Sequence, residues 1–121
     1  NFISYEDAIN QYDTEILKEK YNKKISNYLN RVDILFQEAK KLNSNPIFIT
    51  NIGSNGHTKK MFIFNYSLME HCKNNKYNCI DVAKKLKGKY TYWKGQAHTT
   101  REGSELIANL ITEDLIKFIK K

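Results

Sequence analysis

Hydrophobic residues recur every three or four positions across residues 21–42, and this spacing predicts a long amphipathic helix. The opposite face carries mainly Lys, Asn and Glu. The segment Asn43-Ser44-Asn45-Pro46 is predicted to end the helix, because Asn tolerates a left-handed cap and Pro cannot continue a helix. The apolar stripe consists of Ile25, Tyr28, Leu29, Val32, Leu35, Phe36, Ala39 and Leu42.

After this helix, strand-like and helix-like patterns alternate. Residues 47–50 read Ile-Phe-Ile-Thr, which predicts a short strand buried on both faces, and residues 51–58 have the composition of a loop. A second amphipathic helix is predicted around residues 61–72, and a second strand over residues 79–82. Residues 83–89 form a basic connector, and a last helix is predicted from Thr100 to Lys121. We expect residues 1–14 to be irregular.

This order predicts an α/β fold with a parallel sheet layered by helices. The length of 121 residues allows one domain with a single core. Two short strands cannot cover the apolar faces of these helices, so we expect the chain to be the second half of a domain whose first strands lie elsewhere. The chain does not begin with Met and shows no signal peptide, which also predicts a processed product or a piece of a longer protein.

Composition narrows the classes of function. The net charge is +7, but Arg31 and Arg101 are the only arginines, and the lysines are spread among asparagines. Because base readout relies on bidentate Arg, this pattern favours a solvated surface and makes a nucleic-acid partner unlikely. No apolar run approaches a membrane span. Cys72 and Cys79 lack a metal-ligand pattern and are either two half-buried thiols or, in an exported protein, a short disulfide.

Candidate chemistry is concentrated in residues 92–108, which read Tyr-Trp-Lys-Gly-Gln-Ala-His-Thr-Thr-Arg-Glu-Gly-Ser-Glu-Leu-Ile-Ala. His98 lies in a Gly-containing loop directly before the predicted last helix. Thr99 and Glu102 have the T-x-x-E spacing of a capping box, which would fix the backbone at the start of that helix. An imidazole on such a loop is well placed to act as a general base.

These residues resemble the C-terminal half of an SGNH (GDSL-type) hydrolase. The resemblance covers roughly residues 20–121: a long helix, the Ile47-Phe48-Ile49-Thr50-Asn51 run, a helix through Cys72, the Ile80-Asp81-Val82 segment, and the closing His98-Thr99-Thr100-x-x-Gly103-x-x-x-Ile107-Ala108 block. It implies a three-layer, flavodoxin-like α/β fold, with residues 1–121 as a single partial domain. It also implies a serine ester hydrolase in which His98 is the catalytic base, with no metal or organic cofactor.

Two departures from the family pattern follow from the same residues. The block that carries the nucleophilic Ser and the segments of the oxyanion hole have no counterpart here. The family usually has Asp three residues before the His, and this chain has Gly95. The implied partners are therefore an ester substrate, such as a carbohydrate O-acetyl group or a small lipid ester, and the missing N-terminal half of the domain. This chain alone is expected to be inactive.

Other polar residues receive simpler interpretations. His57 is expected to be a solvated loop residue, and His71 to be structural or exposed. Ser54 lies between glycines but lacks the context of a nucleophile elbow, and Asp81 is expected to cap or pair locally. Tyr90, Tyr92 and Trp93 would either line a substrate pocket or cover the core. The alternative function is non-enzymatic: a basic helical fragment that binds a partner chain or an anionic surface. The sequence assigns no compartment.

Overall fold

The computed structural model describes residues 1–119, except for the side chain of Tyr90. Four short strands are β1 (Ile47–Ile49), β2 (Asn78–Ile80), β3 (Trp93–Lys94) and β4 (His98–Thr99), and a 3-10 turn spans Tyr90–Tyr92. The α-helices are α1 (Tyr5–Gln11), α2 (Thr14–Lys20), α3 (Asn22–Lys41), α4 (Lys59–Asn75), α5 (Val82–Lys85) and α6 (Arg101–Ile119).

The central sheet pairs β1 with β2 in parallel, and α4 connects them, so the chain is α/β as predicted. Side chains alternate across a strand, and the two faces of this sheet meet different helices. Phe48 and Cys79 pack against a buried cluster formed by α3 and α4, whereas Ile47 and Ile80 pack with the apolar side of α6. The prediction that β1 is buried on both faces is wrong for Ile49, which is 41% exposed.

The predicted helices are confirmed with small changes at their ends. Helix α3 ends at Lys41, and Asn43 takes the predicted left-handed conformation with φ 58°. The last helix begins at Arg101 and is described to Ile119, so its predicted end at Lys121 lies outside the described residues. Val82 was predicted to belong to the second strand but begins α5 instead, because Asp81 caps this helix by accepting a hydrogen bond from the Lys84 amide.

The expectation that residues 1–14 are irregular is wrong. Ser4 caps α1 by accepting a hydrogen bond from the Asp7 amide, and Asp13 caps α2 by accepting from the amides of Glu15 and Ile16. Both helices are short, so propensity alone would not hold them. They are stabilised by packing, since each contributes one buried residue, Ala8 or Leu17, to a cluster with α3 and α4.

Cys72 and Cys79 form a disulfide that joins the last turn of α4 to β2. Cys72 is buried in the cluster that also contains Val32 and Leu68, and Cys79 packs against that cluster from the strand. The bridge therefore lies within the sheet–helix contact. Of the two states that the sequence left open, the structure contains the bridged one.

Several large apolar side chains remain exposed, including Ile34 at 53% and Leu35 at 61% on α3 and Leu42 at 78% at its C-cap. Leu35 and Leu42 belong to the predicted apolar stripe but are left uncovered by the fold, and Ile34 lies beside that stripe. Among residues 1–119, no helix has the length and hydrophobicity needed to cross a bilayer.

We expect the disulfide to contribute about 2–3 kcal/mol to the free energy of unfolding, the loop-closure entropy of a loop this short. Unfolding by urea should be compared for oxidised protein, for protein refolded with reductant, and for the double variant Cys72→Ala/Cys79→Ala. Reductant should lower the midpoint of the wild type and leave that of the double variant unchanged. Equal midpoints for oxidised and reduced wild type would contradict the assignment.

Candidate active site

His98 lies on the second strand of a two-stranded antiparallel hairpin. Its Cα pairs with that of Lys94, and Thr99 pairs with Trp93. The His98 side chain is exposed, and among residues 1–119 it has no hydrogen-bond partner. The imidazole is therefore open to solvent or substrate while its backbone belongs to a regular element.

The residue that caps the helix after His98 is Thr100, not the predicted Thr99. The Thr100 hydroxyl accepts a hydrogen bond from the Gly103 amide at 3.2 Å and donates to the carbonyl of Thr91. Thr99 is part of β4 instead, where its hydroxyl lies 2.6 Å from that of Ser104. The predicted capping box is therefore wrong: the cap lies one residue later, and Glu102 does not bond to the backbone at the cap.

Glu102, the predicted acid of the capping box, forms an ion pair with Lys89 instead, at 3.0 Å. The hydrogen bond from Lys89 lowers the pKa of the Glu102 carboxyl. The beginning of α6 is therefore held to the segment that precedes the hairpin.

Two close backbone approaches dock the hairpin and require glycine. A Cβ on Gly103 would collide with the Tyr92 carbonyl, and one on Gly53 would collide with the Gln96 carbonyl. The Ser54 amide also donates to the Gln96 carbonyl at 2.9 Å. The turn before His98 is thus held against the loop that leaves the carboxyl end of β1, where ligand sites collect in α/β proteins.

The position at which the resemblance expects an acid is occupied by a turn residue. Gly95 lies in the hairpin turn with φ 70°, and no atom lies within 4 Å of the place where its Cβ would be. The hairpin turn itself therefore accounts for glycine at this position, because a left-handed residue is least strained without a side chain. No described carboxylate forms a hydrogen bond with His98.

The expectation that His57 is a solvated loop residue is wrong, because its side chain is 1% exposed. Its Nε2 lies 3.0 Å from the Ala83 carbonyl, so Nε2 carries the proton and donates. The ring edges of Tyr5 and Phe62 approach it, and the Tyr12 hydroxyl donates to the His57 carbonyl at 3.0 Å. The sequence signal was the position of His57 directly before Thr58, the N-cap of α4.

Burial lowers the pKa of the His57 imidazole below its usual value. The hydrogen bond to the Ala83 carbonyl and the nearby Asp81 carboxylate act in the opposite direction but do not outweigh the loss of solvation. Nδ1 has no hydrogen-bond partner among the described residues. His57 is therefore a neutral, buried anchor for the loop, with one unused acceptor.

His71 is structural, which is one of the two roles expected from the sequence. Its Nε2 lies 2.7 Å from Asp33 Oδ1, which also accepts from the Tyr77 hydroxyl at 2.6 Å. Burial alone would raise the pKa of the Asp33 carboxyl, but the bonds from Tyr77 and His71 outweigh it and lower that pKa. The bond to Asp33 raises the pKa of Tyr77 to about 12.

Asp81 pairs locally, as expected. Its Oδ1 accepts from the Thr50 hydroxyl at 2.7 Å and from the Lys84 amide at 3.3 Å. The Thr50 hydroxyl accepts in turn from the Ala83 amide at 2.9 Å. This network joins the carboxyl ends of both parallel strands and fixes the carbonyl that holds His57.

No nucleophile is joined to His98 by a hydrogen bond in residues 1–119. Ser54 contributes its backbone to the docking of the turn, and the Ser104 hydroxyl pairs with Thr99. Trp93 is partly buried against the cluster of Ile52, Ile80 and Leu86, which favours the interpretation of Trp93 as core cover. The His, Cys, Asp and Glu side chains of the described residues form no cluster of three suited to a metal ion.

Comparisons with protein-family models, with curated proteins and with solved structures find no match to this chain.

We expect the stability of the protein to fall as the pH drops below about 6.5, the usual pKa of an unfolded histidine. The folded-state pKa of His57 is lowered, so below that pH the unfolded chain binds a proton that the folded chain excludes. Urea unfolding at pH 7 and pH 5 should be compared for wild type and His57→Gln, whose amide can still donate to Ala83. The variant should lose stability less steeply.

The exposed His98 supplies the control for this measurement. His98→Gln should leave the pH dependence of unfolding as it is in the wild type. Parallel profiles for His57→Gln and wild type would show that the buried histidine does not set the acid sensitivity.

Proposed function

We propose that this chain is the C-terminal part of a serine ester hydrolase of the SGNH (GDSL-type) family, with a three-layer, flavodoxin-like arrangement, and that it contributes the catalytic base His98. The observation that carries the proposal is that the His98 side chain is open while the backbone around it is held in place. His98 is exposed and without a partner, while the hairpin around it is docked through Gln96 and Thr100.

The order of elements supports the same proposal. A βαβ unit (β1, α4, β2) is followed by a hairpin and a final helix, and α6 packs on the sheet face opposite α3 and α4. A parallel pair with helices on both faces is the minimal piece of a doubly covered sheet. The loop after β1 and the turn before His98 meet at one end of this piece.

In the proposed reaction, a serine from the remainder of the domain attacks the ester carbonyl. His98 accepts the serine proton as the Oγ–carbon bond forms, and then donates it to the alcohol oxygen as the ester bond breaks. Water repeats the sequence on the acyl-enzyme, with His98 again taking and returning a proton. The substrates in this proposal are carbohydrate O-acetyl groups or small lipid esters.

The missing acid at Gly95 means that the imidazole must be oriented in another way. A backbone carbonyl that accepts from one ring nitrogen would fix the tautomer and leave the other nitrogen for the serine, as in a Ser–His dyad. Because His98 has no partner within residues 1–119, that group would come from the remainder of the domain.

We expect His98→Ala to lower kcat of the protein that contains the whole domain by about 10²–10⁴-fold, with KM little changed, because the base acts on the chemical step. Labelling by a fluorophosphonate, which reacts with an activated serine, should slow in parallel. The matched control is Lys94→Ala, an exposed residue directly across the hairpin from His98. It should retain most of the activity.

The chain of 121 residues alone should hydrolyse p-nitrophenyl acetate no faster than free imidazole. Hydrolysis well above that background that disappears in His98→Ala would mean that the nucleophile lies within this chain. A nearly silent His98→Ala in the whole protein would remove His98 from the mechanism.

The alternative function is binding of a partner chain by a non-enzymatic fragment. The observation in its favour is the set of exposed apolar residues along α3 and at its C-cap, of which Leu35 and Leu42 lie seven positions apart. The two functions are distinguished by the same variants, because a purely binding fragment would show no dependence of serine labelling on His98.

A further inference from the structure

A small cavity lies beside the turn that precedes His98. It has a volume of about 300 Å³, at the lower end of the range for small-molecule sites. Residues of the loop over 51–58 form one side of its wall with Met61 of α4, and Gln96 and Ala97 form the other side. Because Ala97 directly precedes His98, their Cα atoms are about 3.8 Å apart. A molecule bound in this cavity therefore lies beside the proposed base.

Backbone contacts hold the two sides of the cavity together. The Ser54 amide donates to the Gln96 carbonyl at 2.9 Å, and Gly53 lies so close to that carbonyl that it admits no side chain. Within the loop, the Gly56 amide donates to the Gly53 carbonyl at 3.0 Å. The wall is therefore formed before any ligand binds, which lowers the entropy that binding costs.

The wall carries carboxamide groups that the fold leaves unused. They belong to Asn51, Asn55 and Gln96, which line the cavity and are exposed. The side chains of Asn55 and Gln96 form no hydrogen bond within residues 1–119. Asn51 uses only its Oδ1, which accepts from the Ile52 amide at 2.9 Å. A carboxamide offers two donor hydrogens and an acceptor oxygen, so these groups match ligand hydroxyls, which also donate and accept.

Charge and polarity narrow the class of ligand. Among the described residues that line the cavity, none is ionisable, so the wall offers no counter-ion to a phosphate, carboxylate or ammonium group. A hydrocarbon chain would displace water from the carboxamides without replacing its hydrogen bonds, and this displacement is costly. A sugar ring brings hydroxyls to the carboxamides and a C–H face to Met61. A neutral sugar therefore fits this wall better than an acyl chain does.

We propose that this cavity binds the sugar portion of a carbohydrate O-acetyl ester, with Asn55 and Gln96 as the residues that select it. The inference rests on the proposed hydrolase function and chooses between its two substrate classes. The sugar oxygen that carries the acetyl group points toward His98. As the acetyl group passes to the serine, the ester bond breaks and His98 donates its proton to that sugar oxygen, which leaves as a free hydroxyl.

The substrate class can be tested with the protein that contains the whole domain, by titrating the acid released at constant pH. The sugar substrates are the 6-O-acetyl derivatives of glucose, galactose and N-acetylglucosamine. Ethyl acetate carries the same acyl group on a plain alkyl alcohol, and ethyl octanoate represents the lipid esters. At least one acetylated sugar should have a kcat/KM roughly tenfold or more above that of ethyl acetate, the effect of about one or two hydrogen bonds.

Two variants identify the cavity as the sugar site. Asn55→Ala and Gln96→Ala each remove one carboxamide, and each should raise KM for the acetylated sugar by roughly three- to tenfold with kcat little changed. The docking of the turn is kept in Gln96→Ala, because Ser54 donates to the backbone carbonyl of that residue. Gln37→Ala is the matched control, since Gln37 is an exposed carboxamide on α3 that does not line this cavity. It should keep the wild-type KM.

His98→Ala separates this inference from the proposed function. Loss of activity on every ester in His98→Ala, together with a sugar preference that Asn55→Ala and Gln96→Ala weaken, supports both. If His98→Ala abolishes activity but ethyl acetate or ethyl octanoate is preferred to all three sugars, the hydrolase stands and the sugar site is overturned. The same conclusion follows if the two cavity variants raise KM no more than Gln37→Ala does. A nearly silent His98→Ala overturns both.

Discussion

The fold depends on one buried hydrogen-bonded link between the ends of its two parallel strands. Thr50 follows β1, and its hydroxyl donates to Asp81, which follows β2, while accepting from the Ala83 amide. Thr50 is 2% exposed, so its hydroxyl could not remain unpaired without a cost of about 1–3 kcal/mol. A two-stranded parallel sheet has few hydrogen bonds between its strands. This link therefore helps to hold the carboxyl ends of the two strands together.

The link also positions the surrounding loops. It fixes the beginning of α5, whose Ala83 carbonyl accepts from His57, and the His57 amide donates to the Ile3 carbonyl. The loop after β1 is thereby held to α5 on one side and to the N-terminal segment on the other. At its near end the same loop donates from Ser54 to Gln96, which docks the His98 hairpin. The exposed histidine is thus connected to the sheet through this backbone contact and through the Trp93 side chain, which packs against the cluster that contains Ile80.

The elements that the sequence predicts are those whose hydrophobic pattern is long enough to be read locally, whereas those held by long-range contacts are missed. The helices α3, α4 and α6 and the two parallel strands follow from hydrophobic spacing, because each carries an apolar stripe or run long enough to define its period. Helices α1 and α2 did not follow, since seven residues are too few to define a period and their stability comes from tertiary contacts of Ala8 and Leu17. The signals that were present are the two caps, Ser4 and Asp13.

Before α6, the sequence predicted a helix cap but assigned it to the wrong threonine. Two adjacent threonines before α6 offered two registers for the cap, and spacing to Glu102 favoured the wrong one. Thr100 caps because strand pairing of Thr99 with Trp93 fixes the register of the hairpin. Gly103 belongs to the sequence pattern of this block, but the physical reason for glycine there is the close approach of the Tyr92 carbonyl, a contact that local spacing does not predict.

His57 and His98 differ in whether the imidazole is already hydrogen-bonded within the described residues. His57 lies directly before the cap of a helix and is buried with its proton committed to Ala83, so it cannot exchange that proton with a substrate. His98 lies two residues before a cap, and strand pairing turns its side chain outward, where neither nitrogen is committed within residues 1–119. A fixed backbone is common to both. The proposed role as a base requires a second condition, an open imidazole. The hairpin meets this condition for His98, because it buries Trp93 on one face and exposes His98 beside Lys94 on the other.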